Sequence, residues 1–347
     1  MQDQQHYIER AIADIRRGRE VVITHHNQIY AVCSPEFLTE QQLNQLIKRN
    51  AKLVLTSARA QHILDAQPSD NITISCASQD IASITNLVFG DNKQSQVEYK
   101  IDDSLITKAV IHLAKLAELA PAVIIAECDF LTRKISMQAQ AVLDYKNIIA
   151  TELTKVVEAD ITLNHAPHAK IVGFRPTNGF AEHFAIVIGD IANLAKPPLI
   201  RVHSSNYTGD FLVELGSDCH QQLTSAIDII NKHGGGVILY LMQEGRGIGL
   251  INKLRAYQAQ SRGMDTVQAN QFIGFADDER GFNIAATMLK QLDIQKIDVL
   301  TNNPKKLDGL EQFGIEIANR VPHILATKDN ADYLKTKAAK LGHHIKD

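Results

Sequence analysis

At 347 residues the chain is long enough for two ordinary domains, each with its own core, and its 45% apolar and 22% charged residues are the balance of a globular protein. A formal net charge of −3, no Trp and few aromatics exclude a basic nucleic-acid surface, a polybasic membrane tether and a stacking platform for single strands. No apolar run approaches the 18 or so residues of a membrane span, and the polar start Met1–His6 has no signal-peptide pattern. The four cysteines (Cys33, Cys76, Cys128, Cys219) are scattered without CxxC spacing and read as the reduced thiols of a cytoplasmic protein.

Taken in chain order, Ile8 to Arg16 has helical apolar spacing, and the β-branched run Val21 to Thr24 predicts the first strand. Thr39 to Arg49 predicts a helix with Thr39 as its N-cap and Leu43, Leu46 and Ile47 on one face. Lys52 to Thr56 is a further strand, Asp103 to Glu118 a helix, and Ala122 to Ala126 a buried strand. A break near residue 160, where His165, Pro167 and His168 gather, sets expected domains of 1–160 and 161–347. Strands then follow at Phe184 to Ile188, Leu199 to Val202, Gly236 to Met242 and Ile297 to Leu300. Helices Gln221 to Lys232, Ile251 to Gln260 and Phe282 to Leu292 alternate with them. The fold class is α/β and α+β: two domains, each a mixed sheet flanked by helices.

Three segments carry the chemistry. In Tyr240 to Leu250 a buried strand enters a Gly-rich turn that opens a helix, a geometry that offers backbone N–H groups to an anion, with Arg246 able to grip phosphate. Its glycines fall as G-x-G-x-G rather than the dinucleotide G-x-G-x-x-G, and a plain tight turn is the bland alternative. Asp277, Asp278 and Glu279 with Arg280 precede an apolar helix, which on its own is an acid-rich helix start favoured by the macrodipole. Thr301 to Lys306 reads alone as an Asn-Pro turn with a solvated basic tip.

Together, Arg201-Val202-His203-Ser204, Gln243 to Leu250 with Lys253 to Tyr257, Phe275 to Arg280 and Thr301 to Lys306 resemble GTP cyclohydrolase II in order and spacing. That family opens the purine ring of GTP in riboflavin synthesis and releases formate and pyrophosphate. The resemblance implies that Arg280 acts at the α-phosphorus, that Asp278 accepts a proton, and that Tyr257 lies close to the ring. It also implies nucleotide contacts from Arg201, Val202, His203, Ser204, Gln222, Glu244, Gly245, Arg246, Thr266, Thr301 and Lys306. Glu244 would read the guanine amino edge, while Arg246 and Lys306 would meet phosphate charge. An arginine is protonated near neutrality, so stabilisation of charge belongs to the role of Arg280.

The family's zinc site reads H-S-E-C and then C-D-C-G; here those stretches are His203-Ser204-Ser205-Asn206 and Ser217-Asp218-Cys219-His220. Only Cys219 survives of three thiolates, and neutral Asn206 and Ser217 are poor zinc ligands. No metal-ligand set is therefore expected and no zinc, with Mg²⁺ arriving only alongside the nucleotide. A replacement set of Cys219, His220 and His203 is the less favoured alternative.

The first half resembles a shortened 3,4-dihydroxy-2-butanone 4-phosphate synthase, through Ile8 to Leu55 and Lys108 to Glu127. That family's acidic loop is replaced by Thr24-His25-His26-Asn27-Gln28, and its His-Thr-Glu by Ile106-Thr107-Lys108, leaving Glu127 alone at a functional position. His25 and His26, as neighbours on a strand, would point to opposite faces. A scaffold without synthase activity is the expectation. The whole chain then reads as a cytoplasmic, homodimeric protein that takes GTP or a related purine nucleotide, without nucleic acid or membrane. Either pyrophosphate release survives the loss of ring opening, or the chain is a non-catalytic regulator or assembly partner of riboflavin enzymes.

Overall fold

The computed structural model describes residues 2–64, 66–94, 96–128 and 136–323. The chain forms two compact units, one of residues 1–146 with 248–279 and one of residues 147–247 with 280–347.

In the first unit the chain runs α1 (Gln2–Ile15), β1 (Val21–His25), β2 (Gln28–Cys33), α2 (Glu40–Ile47), β3 (Lys52–Leu55) and α3 (Ser57–Ile63), then β4 (Ile72–Ser75), α4 (Ile81–Phe89), β5 (Lys100–Ile101), α5 (Leu105–Leu116), β6 (Ala122–Glu127) and β7 (Met137–Gln138). These strands make a mixed sheet in the order β5-β4-β3-β6-β2-β1-β7, antiparallel except where β1 meets β7. Thr39 is the N-cap, as its place before the helix predicts, and makes a full capping box with Gln42. Along α5 the buried Ile106, Ala109, Val110, Leu113 and Ala114 keep one face turned to the core. His25 ends β1 and His26 stands at the hairpin corner with φ 50°, so the pair is a turn feature and not two strand neighbours, with ring centres 4.2 Å apart.

After α6 (Ala139–Thr151) come β8 (Leu153–Leu163), β9 (Ala166–Pro176), β10 (His183–Ile188), β11 (Leu199–Ser204), α7 (Cys219–Lys232), β12 (Gly236–Leu241) and the single turn α8 (Glu244–Gly247). The chain continues through α9 (Leu250–Gln260), α10 (Thr266–Phe272), α11 (Asn283–Gln291), β13 (Lys296–Leu300), α12 (Pro304–Glu311) and β14 (Glu316–Val321). The second unit's sheet is ordered β14-β13-β11-β12-β10-β9-β8 and is also mixed: β14, β13, β11 and β12 run parallel, and β10, β9 and β8 antiparallel. One face packs Ile200, Val202, Val237 and Leu239 against α11, and the other packs Leu199, Ile238 and Leu300 against Ala226 and Ile230 of α7. β8 runs across residue 160 and pairs along β9, so the compact units divide the chain ahead of that break, at 146/147.

The segment 248–279, which carries α9 and α10, clusters with the first unit. Arg59, 2% exposed, donates from Nε to Leu87 O (2.9 Å), from Nη2 to Gly90 O (2.6 Å) and from Nη1 to Phe272 O (3.0 Å). Its guanidinium thereby caps the carboxyl ends of both α4 and α10, where the helix dipole favours a cation. Arg255 of α9 makes a two-pronged ion pair with Glu36 (3.1 and 2.8 Å), and Thr56 Oγ1 donates to Gly274 O.

Candidate active site

Parallel strands expose their carboxyl ends on one edge of a sheet, the usual seat of a ligand in open α/β folds. In the second unit this edge gathers Ser204 at the end of β11 and Ser205 after it, Gln243 to Gly247 after β12, Thr301 to Lys306 after β13, and His323 after β14. Strand alternation puts Arg201 and His203 on the face of α7, away from Ile200 and Val202.

Arg201 is 6% exposed; its Nη1 donates to Leu300 O (3.2 Å) and its Nη2 to Gln222 Oε1, and Gln222 in turn bonds Asp218. Burial brings its pKa down to about 10, and Arg280 is among the charges acting on it. Lys306, 8% exposed, donates to Val202 O at 2.8 Å, so this lysine turns inward and is not part of a solvated basic tip. Glu244 is 6% exposed and accepts from Tyr207 N at 2.9 Å. In the Gly-rich turn Gly245 and Arg246 both take left-handed backbone (φ 62° and 64°), strained for an arginine by roughly 1–2 kcal/mol.

Five buried polar atoms on this unit have no protein partner among the described residues: Arg201 Nε, Ser204 Oγ, Ser205 Oγ, Gln243 Oε1 and His323 Nδ1. An unmet buried polar group costs roughly 1–3 kcal/mol, so their gathering along one sheet edge suits a polar ligand. Sequence reasoning missed Ser205, Gln243 and His323. His323 is held by Ser225 Oγ (2.7 Å) and by paired bonds with Asn302, and burial lowers its pKa to about 3, leaving a neutral ring.

Beside this edge the three positions of the family's thiolates do converge. Asn206 Nδ2 lies 3.0 Å from Cys219 Sγ and 3.3 Å from Ser217 Oγ. The amide's orientation is fixed from its other end, because Asn206 Oδ1 accepts from Gly209 N (3.0 Å) and Thr208 Oγ1 (3.1 Å). Asn206 therefore points an N–H donor at the sulfur, where a metal site needs a lone pair, and the donor set does not fit zinc. His203 and His220, the alternative partners of Cys219, are engaged elsewhere: His203 Nε2 with Asp210 (2.9 Å) and His220 Nδ1 with Asp210 O (3.0 Å). Tyr240 OH also donates to Asp210 (2.8 Å) and its ring stacks on His203. Burial outweighs the Asp210 carboxylate and keeps His203 below its usual pKa. Burial opposes the charge of Asp210, yet the bonds from His203 and Tyr240 leave its pKa lowered. Asp210 was not singled out from the sequence, and Tyr240 was named only as the start of the Gly-rich segment, without a role. The signals available were the Thr208-Gly209-Asp210 turn and the strand alternation that sets Tyr240 on the face of His203.

Tyr257, Thr266 and Asp278 belong to the other unit. Lys253 Nζ lies 5.5 Å from the Tyr257 ring centre, Thr266 opens α10 behind the Asp265 capping box, and Asp278 sits in the loop before α11. At the synthase-like positions, Thr24 to Gln28 form the β1–β2 hairpin, Ile106 is buried in the α5 core face, and Glu127 accepts from Asn50 at 3.1 Å.

Fold and edge define a two-unit protein whose second, mixed sheet gathers buried cationic and polar side chains at its parallel carboxyl ends. The model of the GTP cyclohydrolase II family matches residues 154–322. A GTP cyclohydrolase-2 of Azospirillum brasilense is 39% identical over 97% of this chain and 93% of its own. The riboflavin biosynthesis protein RibBA of Bacillus mycoides is 33% identical over 97% of this chain and 98% of its own. A shorter GTP cyclohydrolase-2 of Haemophilus influenzae is 46% identical over 51% of this chain. Among solved structures, RibBX from A. baumannii, a two-domain 3,4-dihydroxy-2-butanone 4-phosphate synthase, covers 92% of this chain at 15% identity and a TM-score of 0.35. The chain belongs to the GTP cyclohydrolase II family of riboflavin biosynthesis.

Proposed function

We propose that this family member binds GTP and does not open its purine ring. The observation that carries the reading is the Asn206 amide, oriented by Gly209 and Thr208, donating to Cys219 Sγ where the family pattern has a second thiolate. Attack at C8 of guanine needs hydroxide near neutral pH, which a zinc-bound water of pKa about 7 provides. Asn206 and Ser217 supply neither charge nor soft sulfur for that ion, so no step runs through it.

Attack at the α-phosphorus has no such requirement. GTP and water would give GMP and pyrophosphate, the new bond forming between the water oxygen and the α-phosphorus while the bond to the β-phosphate bridge breaks. Asp278 takes the water's proton and Arg280 offsets the charge that builds on the phosphoryl oxygens. Arg246 and Lys306 meet the phosphates, Glu244 the guanine amino edge, and Arg201 to Ser204, Gln222, Thr266 and Thr301 the remaining contacts. Mg²⁺ enters as part of the triphosphate substrate. The first unit makes no dihydroxybutanone phosphate, since the β1–β2 hairpin offers no carboxylate to Mg²⁺ and Ile106 stands where the synthase pattern has histidine. The working form is a cytoplasmic homodimer.

A second reading, a non-catalytic nucleotide-binding regulator or assembly partner of riboflavin enzymes, draws on the same exchange of amide for thiolate. Incubation with MgGTP separates the two: GMP and pyrophosphate without formate support the partial reaction. GTP binding with neither product supports the regulator, and formate overturns both.

A further inference from the structure

The first unit has lost the acidic loop of the synthase pattern, yet it keeps a charged cluster which that pattern does not explain. On α5, Lys115 Nζ donates to Glu279 Oε1 at 2.5 Å, with both side chains less than a quarter exposed. From α6, Lys146 Nζ donates to Glu279 O. Glu279 Oε1 also accepts from Ala276 N at 2.9 Å, closing the loop on itself. The Lys115 ammonium lies 5.8 Å from the ring centre of Phe275, 1% exposed, at the start of the same loop. His112, one turn before Lys115, is close enough to feel Lys146, Lys115 and Glu279, and burial lowers its pKa to about 4, so it adds no charge.

The electrostatics fit a structural tie. Burial lowers the pKa of Lys146, and Glu279 and Asp278 are the charges that favour its ammonium. Burial opposes the carboxylate of Glu279, yet Lys115 leaves its pKa lowered. A buried ammonium is costly unless it is bonded, and here it donates to the backbone carbonyl of Glu279. The neighbours of that residue in the chain are Asp278 and Arg280.

We propose that Lys115 and Lys146 are positioning residues that clamp the Ala276–Glu279 loop through Glu279, so that the first unit, without synthase chemistry, presets its own loop carrying Asp278. The proposal rests on the α-phosphorus reading above. Its role differs from general stability because the clamp acts on one short loop: the side chain, the carbonyl and the neighbouring Ala276 N–H of Glu279 are all tied.

Full-length Lys115→Met, Lys146→Met and Lys115→Arg proteins test it, with circular dichroism melts to confirm folding. Hydrogen exchange followed over peptides spanning residues 274–282 should quicken about tenfold or more in the two methionine variants. Exchange in β11 and β12 should stay as in wild type, and Lys115→Arg should restore slow exchange. Where wild type releases pyrophosphate, the methionine variants should lose about tenfold or more in kcat with GTP affinity within about threefold of wild type. Unchanged exchange at 274–282 overturns the clamp, and so does a parallel loss of kcat and GTP affinity. Wild type that binds GTP without releasing pyrophosphate defeats the catalytic reading instead, and the exchange arm then decides the clamp alone.

Discussion

Cysteines at the two positions where the family pattern has thiolates should create a zinc site. Asn206→Cys with Ser217→Cys would put three sulfurs where Asn206 Nδ2 now lies 3.0 Å from Cys219 Sγ and 3.3 Å from Ser217 Oγ. Two sulfurs on a tetrahedral zinc with Zn–S of about 2.3 Å stand roughly 3.8 Å apart, so the existing backbone needs only a small expansion. Four-ligand peptide sites bind zinc with an apparent free energy of about 10–16 kcal/mol, roughly 3 kcal/mol per ligand. Two added thiolates are then worth about 6 kcal/mol, or about 10⁴-fold in affinity at roughly 1.4 kcal/mol per decade. Elemental analysis of protein purified without a metal-binding tag should find far less than one zinc per wild-type chain and about one per double-variant chain. Stoichiometric zinc in the wild type would refute the ligand argument. A folded double variant that stays free of zinc would refute the claim that these positions form the site.

Calorimetry should show GTP bound in preference to ATP and UTP, with Lys306→Met weakening it about tenfold or more, the range of one charge-assisted hydrogen bond; equal affinity for the three would sink the base recognition. Arg59→Met should lower stability by about 3 kcal/mol or more by leaving the carbonyls of Leu87, Gly90 and Phe272 unmet. That amounts to about 10 °C in a thermal melt, and a shift under about 2 °C would show that solvent replaces it. Burial lowers the pKa of His183 from 6.5 to about 4, and its Nδ1 accepts from Met242 N. The unfolded state takes the proton first, so stability held above pH 6.5 is lost as pH falls towards about 4. Melts over that window should show a fall that is shallower in His183→Asn, and a stability that rises on acidification would contradict it.

Local rules carried much of the fold. The N-cap at Thr39, the helix α5 and the apolar runs of β6, β11, β12 and β13 all stand where spacing and propensity put them. β8 was not read as a strand although Val157, Ala159, Ile161 and Leu163 alternate with polar residues; most of its length is exposed, and its pairing with β9 defines it. The assignment of 248–279 to the first unit was equally hidden, since it rests on partners such as Arg59 and Phe272, far apart in the chain. Motif order singled out Arg201, Glu244, Arg246, Thr301 and Lys306, whereas His323 and Asp210 stand out only through burial and through bonds to Ser225, His203 and Tyr240, which no spacing reveals. The inward turn of Lys306 was likewise invisible, because an Asn-Pro-Lys-Lys run looks the same whether its lysine meets solvent or the carbonyl of Val202.

The central claim, that GTP is bound while its ring stays closed, is tested most directly by following formate, GMP and pyrophosphate together after mixing the purified chain with MgGTP. The account predicts GMP and pyrophosphate in equal amounts, formed slowly, removed by Arg280→Ala with GTP still bound, and formate at background throughout. Formate released in step with pyrophosphate would contradict it, because the proposed reading rests on Asn206 and Ser217 being unfit to hold the zinc whose bound water supplies hydroxide.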